Sequence, residues 1–297
     1  MKPAPFDWFA PGTLEEALAL KAAHGDAARF LAGGQSLVPA MNFRLAQPAV
    51  LVDLNRLPGL DGIAATPEGG LRIGAMVRNA RLERDACARG SHPMLAEALA
   101  EVAHPQIRNR GTIGGNLSHA DPASEMPAAM LALDARLAVR GGGGPREVPA
   151  EAFFTGPLST ALAPDEMLVE VRIPPLPPRT GTAFLEFARR RGDYALMGVA
   201  AVATLDAAGA CTGARLAFCS AGPTPMAAPR AAAALAGTRL EEAAIAEAAA
   251  LARQEVDPLG GLEATPAYQR HLAGVLAARA LRLARDRAAG VAGRTTA

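Results

Sequence analysis

The segment that decides the fold reads Ile107-Arg-Asn-Arg-Gly-Thr-Ile-Gly-Gly-Asn-Leu-Ser118. It does not suit a regular strand, because glycine in a strand loses entropy and offers no side chain to pack. Glycine does let backbone N–H groups come close to a ligand. A similar segment lies upstream and reads Phe30-Leu-Ala-Gly-Gly-Gln-Ser-Leu37. The two segments together predict a pair of glycine loops that cradle a ligand with two phosphates.

The chemistry of a diphosphate suits such loops, because a ring of backbone N–H donors can hold its charge without a metal ion. The side chains of Gln35, Ser36, Thr112 and Asn116 can add donors. Either Gly-Gly pair alone is better interpreted as an ordinary tight turn. The two pairs together favour a ligand-binding site. Neither segment matches the Gly-x-Gly-x-x-Gly fingerprint, which argues against a Rossmann domain.

Composition excludes several functions. The 297 residues carry a net charge of +1, and only 4% are aromatic, which argues against a nucleic-acid-binding surface. The only lysines are Lys2 and Lys21, and no Gly-Lys-Ser or Gly-Lys-Thr occurs, so a P-loop is excluded. Half of the residues are hydrophobic, which is enough for a large core or two domains.

The cysteine count also limits the chemistry. Cys87, Cys211 and Cys219 are one fewer than a cysteine-ligated iron–sulfur cluster needs, and we expect all three to be small core residues. The five histidines lack zinc-site spacing, so no metal site is expected. Because no signal peptide or membrane-spanning run is evident, we expect a cytoplasmic chain.

Residue patterns predict the elements of the first half. Thr13 and Glu16 form a capping box for a helix that Gly25 closes. Strands are predicted at 28–32, 49–54, 59–65, 71–75, 136–140 and 167–173, and helices at 93–103 and 124–133. The segment 38–45 is predicted as a helical turn or irregular structure, and the glycine run 141–144 as a hairpin turn or loop.

The segment Pro174-Pro-Leu-Pro-Pro178 is the clearest boundary, because prolines cannot extend a sheet. Beyond it the sequence predicts a meander of three strands at 183–189, 196–205 and 213–220, followed by helices at 227–235, 241–253 and 266–287. In the last helix Leu272, Val275, Leu276 and Leu283 are predicted to form the buried stripe. This arrangement indicates an α+β domain over 179–288, with a disordered tail at 289–297.

A family resemblance rests on both glycine segments. Ala32-Gly-Gly-Gln-Ser36 and Thr112-Ile-Gly-Gly-Asn116, in this order and at this separation, resemble the FAD-binding middle subunit of the molybdenum hydroxylases. This is the xanthine dehydrogenase superfamily, which includes aerobic carbon monoxide dehydrogenase. The resemblance covers nearly the whole chain, including Ile107-Arg-Asn-Arg110, the segment 120–125, the turn 164–168 and Arg190-Arg-Gly-Asp-Tyr194.

The resemblance implies an α+β fold with a vanillyl-alcohol-oxidase (PCMH)-type FAD-binding domain over 1–176. That domain would consist of two subdomains, about 1–57 and 58–176, followed by the smaller C-terminal domain over 179–288.

The resemblance also implies non-covalent FAD binding and a set of contact residues. The pyrophosphate would be held by the two segments, which contain Ala32, Gly33, Gly34, Gln35, Ser36, Thr112, Ile113, Gly114, Gly115 and Asn116. Leu37 and Leu168 would be apolar neighbours of the cofactor. Tyr194 would lie near the isoalloxazine, although a strand residue with a solvated hydroxyl is an equal alternative. Glu125 stands where such subunits often carry Asp, and Glu186 stands where several relatives carry Lys. The loss of that Lys cation leaves the redox poise of the flavin undetermined.

The implied function is electron transfer within a multi-subunit enzyme. A small partner subunit with [2Fe–2S] clusters would deliver electrons to FAD, and the acceptor would be NAD, a quinone or oxygen. A large subunit with the molybdenum cofactor would hydroxylate the substrate, in a dimer of heterotrimers, and no residue of this chain need act as an acid or base. The alternatives are a self-contained FAD oxidase or reductase of the same fold, and an interaction subunit without flavin.

Overall fold

The computed structural model describes residues 2–291. Its strands are β1 Asp7–Phe9, β2 Ala28–Leu31, β3 Val50–Asp53, β4 Ile63–Ala65, β5 Leu71–Gly74, β6 Arg136–Gly141, β7 Gly144–Pro149, β8 Phe154–Gly156, β9 Ser159–Thr160, β10 Met167–Ile173, β11 Thr180–Phe187, β12 Met197–Leu205, β13 Cys211–Cys219 and β14 Met226–Ala227. Its α-helices are α1 Leu14–His24, α2 Leu37–Asn42, α3 Asn79–Arg84, α4 Ala86–Ser91, α5 Met94–Glu101, α6 Pro105–Arg110, α7 Ile113–His119, α8 Glu125–Ala132, α9 Ala150–Phe153, α10 Pro229–Ala233, α11 Glu242–Glu255 and α12 Pro266–Ala288. The α+β class is therefore confirmed.

The first sheet is small and parallel, with strand order β1-β3-β2. The predicted capping box is present at α1, because Thr13 Oγ1 accepts from the Glu16 N–H at 3.2 Å while the Glu16 carboxylate accepts from the Thr13 N–H. The sequence did not reveal β1, which has only three residues, all exposed, and depends on a partner strand more than forty positions away. The first glycine segment leaves this sheet at the end of β2.

The second sheet is antiparallel, with order β4-β5-β10-β6-β7. Strand β10 spans the predicted residues and lies at the centre of the sheet. The glycine run after Arg140 is the predicted hairpin, which joins β6 to β7. Helices α3 and α4 were missed, because 79–91 has no clear amphipathic pattern and is held by tertiary packing against α5.

The third sheet follows the proline segment and has order β11-β12-β13-β14, so the predicted three-strand meander gains a short fourth strand. Strand β12 is covered on both faces, since successive side chains alternate. Ala200 and Val202 join the core formed with α5 and α8, whereas Val199 and Ala201 join the core beneath α11 and α12. One apolar core therefore runs from the second sheet into the third.

Two sequence predictions are wrong: the buried face of α12 and the burial of Cys87. In α12 the buried side chains are Leu272, Leu276 and Leu281 together with several alanines. Val275 and Leu283 are only half-buried. Five alanines are buried along the same helix, so the leucine pattern alone did not give the buried face. Cys87 is exposed, unlike the buried Cys211 and Cys219.

Within the predicted tail at 289–297, the N–H groups of Gly290 and Val291 bond back to α12. The remaining tail residues, 292–297, lie outside the described part of the chain.

Candidate cofactor-binding site

The two glycine segments lie directly against each other. A Cβ atom on Gly33 would be 2.7 Å from Gly111 Cα and closer still to the Arg110 carbonyl oxygen. On the other side of the contact, a Cβ on Gly115 would be 3.6 Å from Ala32 Cβ. Glycine at position 33 is therefore required by a backbone-to-backbone approach. The tertiary fold brings together two segments that are some eighty residues apart in sequence.

The first segment presents a run of free backbone donors. Between residues 2 and 291, the N–H groups from Gly33 to Leu37 find no protein acceptor. Gly34 adopts a positive φ of 75°, and the Gln35 side chain bonds back to the Gly33 carbonyl oxygen at 3.1 Å, which fixes the turn. Ser36 precedes α2 without capping it by its side chain. Consecutive unpaired N–H groups form the concave donor arrangement that binds anions.

The second segment is helical, which corrects the prediction of a second glycine loop. Thr112 is the N-cap of α7, and its Oγ1 accepts from the Gly115 N–H at 3.0 Å. The N–H groups of Ile113 and Gly114 donate to the carbonyl oxygens of Val77 and Ala75 at 3.0 and 2.9 Å. The first donors of this segment are thus used within the chain.

Gly114 has a packing reason of its own. A Cβ at this position would lie 2.5 Å from Ala75 Cβ, so only glycine lets α7 dock on the segment that follows β5. Ile113 is fully buried beside it. We conclude that the second segment positions and supports the first, and that its own donors do not form an equivalent cradle.

Two residues that the sequence did not single out connect the segments. Asn55 Nδ2 donates to the Ala32 carbonyl oxygen at 3.0 Å, and Asn55 Oδ1 accepts from Arg78 Nη2 at 2.5 Å. The other Arg78 nitrogen, Nη1, donates to the Arg110 carbonyl oxygen. Asn55 follows the end of β3, where polar residues of a parallel sheet often face a ligand. For Arg78 the sequence carries no comparable signal.

Glu125 lies next to the second segment. Asn116 Oδ1 accepts from the Ser124 hydroxyl at 2.9 Å, which ties α7 to the start of α8, where Glu125 is the first residue. The side chain of Glu125 is only 6% exposed. Burial, with the negative charges of Glu101 and Asp121 acting in the same direction, raises the pKa of Glu125 to about 7.

Glu186 on β11 belongs to the same acidic group. Its Oε2 atom is buried without a hydrogen-bond partner among the described residues. Burial, followed by the charges of Glu125 and Glu101, raises the pKa of Glu186 to about 9. At neutral pH this carboxyl is protonated, so the position does not carry the negative charge that its residue type suggests.

The two remaining candidates differ in exposure. Leu168 on β10 is 3% exposed and packs within the main core, behind the segment on which α7 docks. Tyr194 lies between β11 and β12 and is 72% exposed. Burial, then the negative charges of Asp121 and Glu125, raises the pKa of Tyr194.

This arrangement fits a dinucleotide pyrophosphate. The free donors at Gly33 to Leu37 and the cation at Arg78 are what such a group needs. Within residues 2–291, no three His, Cys, Asp or Glu side chains converge as a metal site. Nor does any helix in that range have the length and apolar character needed to cross a membrane.

Comparisons with known proteins give consistent matches over both parts of the chain. Residues 4–176 match the family described as the FAD binding domain in molybdopterin dehydrogenase, and residues 182–284 match the CO dehydrogenase flavoprotein C-terminal domain. The chain is 42% identical over 288 residues to the 6-hydroxypseudooxynicotine dehydrogenase complex subunit alpha of Paenarthrobacter nicotinovorans, covering 97% of both chains. It is 37% identical to the carbon monoxide dehydrogenase medium chain of Hydrogenophaga pseudoflava, covering 97% of this chain and 100% of that one.

Solved structures agree with these matches. A Cu,Mo-CO dehydrogenase chain superimposes with a TM-score of 0.93 at 37% identity, covering 97% of this chain and 100% of that chain. Quinoline 2-oxidoreductase from Pseudomonas putida 86 gives 0.91 at 37% identity, covering 97% and 99%. The expected fold, with an FAD-binding domain and a C-terminal domain, is confirmed. The chain belongs to the family of FAD-binding medium subunits of the molybdenum hydroxylases, the oxidoreductases of the carbon monoxide and xanthine dehydrogenase type.

Proposed function

We propose that this chain is the electron-transfer subunit of a multi-subunit molybdenum hydroxylase. It would receive electrons from [2Fe–2S] clusters of a small partner subunit and pass them to an external acceptor. FAD supplies this chemistry when bound, because a flavin exchanges one or two electrons. The five N–H groups at Gly33 to Leu37, which have no acceptor among the described residues and begin where Gly33 packs against Gly111, are the observation that carries the proposal.

The site residues remain part of this proposal, with the roles of Leu37, Leu168 and the second segment revised from those expected. Ala32 to Leu37 would bind the pyrophosphate, with Thr112 to Asn116 holding that segment in place. Glu125 and Tyr194 would lie towards the flavin ring. The buried Leu168 would support the site from within the core and would not contact the cofactor directly.

An electron-transfer role accounts for what this chain does not supply. A cluster of the cysteine-ligated kind needs four thiolates, and the chain has three cysteines, so a partner would carry the iron–sulfur clusters. Relatives include the alpha subunit of a dehydrogenase complex and the medium chain of carbon monoxide dehydrogenase. We propose a small iron–sulfur subunit and a large molybdopterin subunit as partners, in a dimer of heterotrimers in the cytoplasm. The domain division at 1–57, 58–176 and 179–288 is part of the same proposal.

Flavin retention tests the first step. The chain alone is incubated with FAD, desalted and examined by visible spectroscopy. We expect an oxidised-flavin spectrum without iron–sulfur absorbance. A colourless protein, both alone and after co-expression with its neighbours, would favour a flavin-free interaction subunit.

Reduction tests the second step. The FAD-loaded chain is mixed anaerobically with candidate small substrates and, separately, with the reduced iron–sulfur subunit. We expect bleaching of the flavin only with the partner. Rapid bleaching by a small organic substrate alone would identify a self-contained oxidase or reductase instead.

A further inference from the structure

The connection between Arg78, Asn55 and both glycine segments carries a role that the family match does not assign. Arg78 donates from one nitrogen to the Arg110 carbonyl oxygen and from another to Asn55 Oδ1. Asn55 in turn donates to the carbonyl oxygen of Ala32, the residue before the free donors. A single guanidinium thus joins the backbone before the first Gly-Gly pair to the backbone before the second.

Neighbouring backbone contacts make the position of Arg78 rigid. Arg78 forms an isolated bridge with Thr112, and the Asn79 N–H donates to the Gly111 carbonyl oxygen at 2.9 Å. Asn55 is itself held by Asp53, whose Oδ1 accepts from the Asn55 backbone N–H at 2.9 Å and from Nδ2 at 2.5 Å. Both ends of the connection are therefore fixed before any ligand arrives, as a preorganised binding site requires.

The charge of Arg78 is not neutralised by the groups it bonds. Its two acceptors, a carbonyl oxygen and an amide oxygen, are uncharged. Burial and then the positive charge of Arg110 lower the pKa of Arg78, and only Asp53 acts in the opposite direction. Arg78 thus carries an unneutralised charge, and the Arg110 carbonyl oxygen that it bonds lies against Gly33, the first of the free donors. An anion bound there would offset this charge.

We propose that Arg78 is the positioning residue of the anion site: it holds the two glycine segments in contact and supplies the positive charge beside the Gly33 to Leu37 donors. This role rests on the proposed function, in which the anion is the FAD pyrophosphate. Arginine suits it because one planar group can donate in two fixed directions, which lysine cannot do.

The test separates the effect of the Arg78 charge from the effect of the hydrogen bonds by which Arg78 and Asn55 join the two segments. FAD dissociation constants are measured by flavin fluorescence at several salt concentrations for the whole chain and for Arg78→Gln, Arg78→Lys and Asn55→Ala. We expect Arg78→Gln to weaken FAD binding about 10- to 100-fold, the range for a lost charged hydrogen bond. Its dissociation constant should also depend less on salt, because a charge has been removed.

The other variants sharpen this result. Asn55→Ala should weaken binding and leave the salt dependence as in the wild type, since the cation remains. Arg78→Lys should restore the salt dependence and only part of the affinity. Arg84→Gln, which removes an exposed cation at the end of α3, is the matched control and should bind FAD like the wild type. Circular dichroism and the melting temperature without FAD check that each variant folds.

Each outcome decides the matter. If the wild type binds FAD and Arg78→Gln binds it equally well with the same salt dependence, the role of Arg78 is wrong while the proposed function stands. If Arg78→Gln weakens binding with an unchanged salt dependence, its charge is not used and the proposal fails in that part. If the wild type itself does not bind FAD, the proposed function fails first.

Discussion

Gly33 and Gly111 pack backbone against backbone, and a Cβ on Gly33 would lie 2.7 Å from Gly111 Cα. This contact joins the small parallel sheet to the segment that starts α7. It fixes where the free donors of the first glycine segment face, so the site depends on a tertiary contact as much as on its motif.

Replacement of Gly33 by alanine tests this contact. The obstacle is backbone, which cannot rotate away, so we expect Gly33→Ala to lose FAD binding and to lower the unfolding free energy by about 1–3 kcal/mol. Gly143→Ala is the control, because nothing lies within 4 Å of a Cβ there. Urea unfolding and flavin retention after desalting measure both effects. Equal flavin retention by the two variants would contradict the tight approach.

Removal of the Thr112 hydroxyl tests the support provided by α7. Thr112→Val keeps the shape of a side chain that is 1% exposed but leaves the Gly115 N–H without its acceptor. We expect a loss of about 1 kcal/mol in stability, as for other N-caps, together with weaker FAD binding. Thr265→Val removes the equivalent cap of α12, where Oγ1 accepts from the Tyr268 N–H at 3.3 Å. Only the Thr112 variant should change the FAD dissociation constant, and a loss of affinity in both would point to a general effect of stability.

The pH dependence of stability tests the acidic group at Glu125 and Glu186. Burial and like charges raise the pKa of Glu125 to about 7 and of Glu186 to about 9, from 4.5. Between pH 4.5 and about 9 the folded chain therefore holds these protons more tightly than the unfolded chain. The sign follows from linkage: stability falls as the pH rises through this window, because the unfolded state binds fewer protons.

Glu186→Gln is expected to flatten that fall, since glutamine stays uncharged across the window. Urea unfolding midpoints, recorded from acidic to alkaline pH, measure this change in the pH dependence of stability. Each unit of pKa difference between the folded and unfolded states corresponds to about 1.4 kcal/mol before allowance for solvent screening. Glu151→Gln, at an exposed position of helix α9, is the control and should keep the wild-type slope. Parallel curves for all three proteins would rule out a protonated Glu186.

Glu97 tests the junction between the second and third sheets. Its carboxylate accepts from the Phe184 N–H at 2.9 Å and pairs with Arg287 at 2.7 Å. Glu97→Ala leaves a buried N–H without an acceptor, and we expect a loss of about 2 kcal/mol in unfolding free energy. Arg215→Gln breaks the exposed ion pair with Asp134 across the same junction and should cost at most about 0.5 kcal/mol. Equal losses in the two variants would contradict the distinction between a buried and an exposed contact.

Local signals predicted much of the fold. The capping box at Thr13, the hairpin after Arg140 and strand β10 were readable because a local residue pattern marks each of them. The small strand β1 and the helices α3 and α4 were not readable, because their stability comes from distant partners. In α12 the alanines, more than the leucine pattern, decided which face is buried.

The sequence by itself determined the α+β class and the two glycine segments of an FAD-binding subunit, since periodicity, turn residues and motifs are local properties. Only the tertiary structure decided how those segments work. It placed the free donors on Gly33 to Leu37, used the donors of Ile113 and Gly114 within the chain, and brought Asn55 and Arg78 between them. The physical reason is that a hydrogen bond or a backbone contact between distant residues depends on where the chain folds back, and no local pattern encodes it.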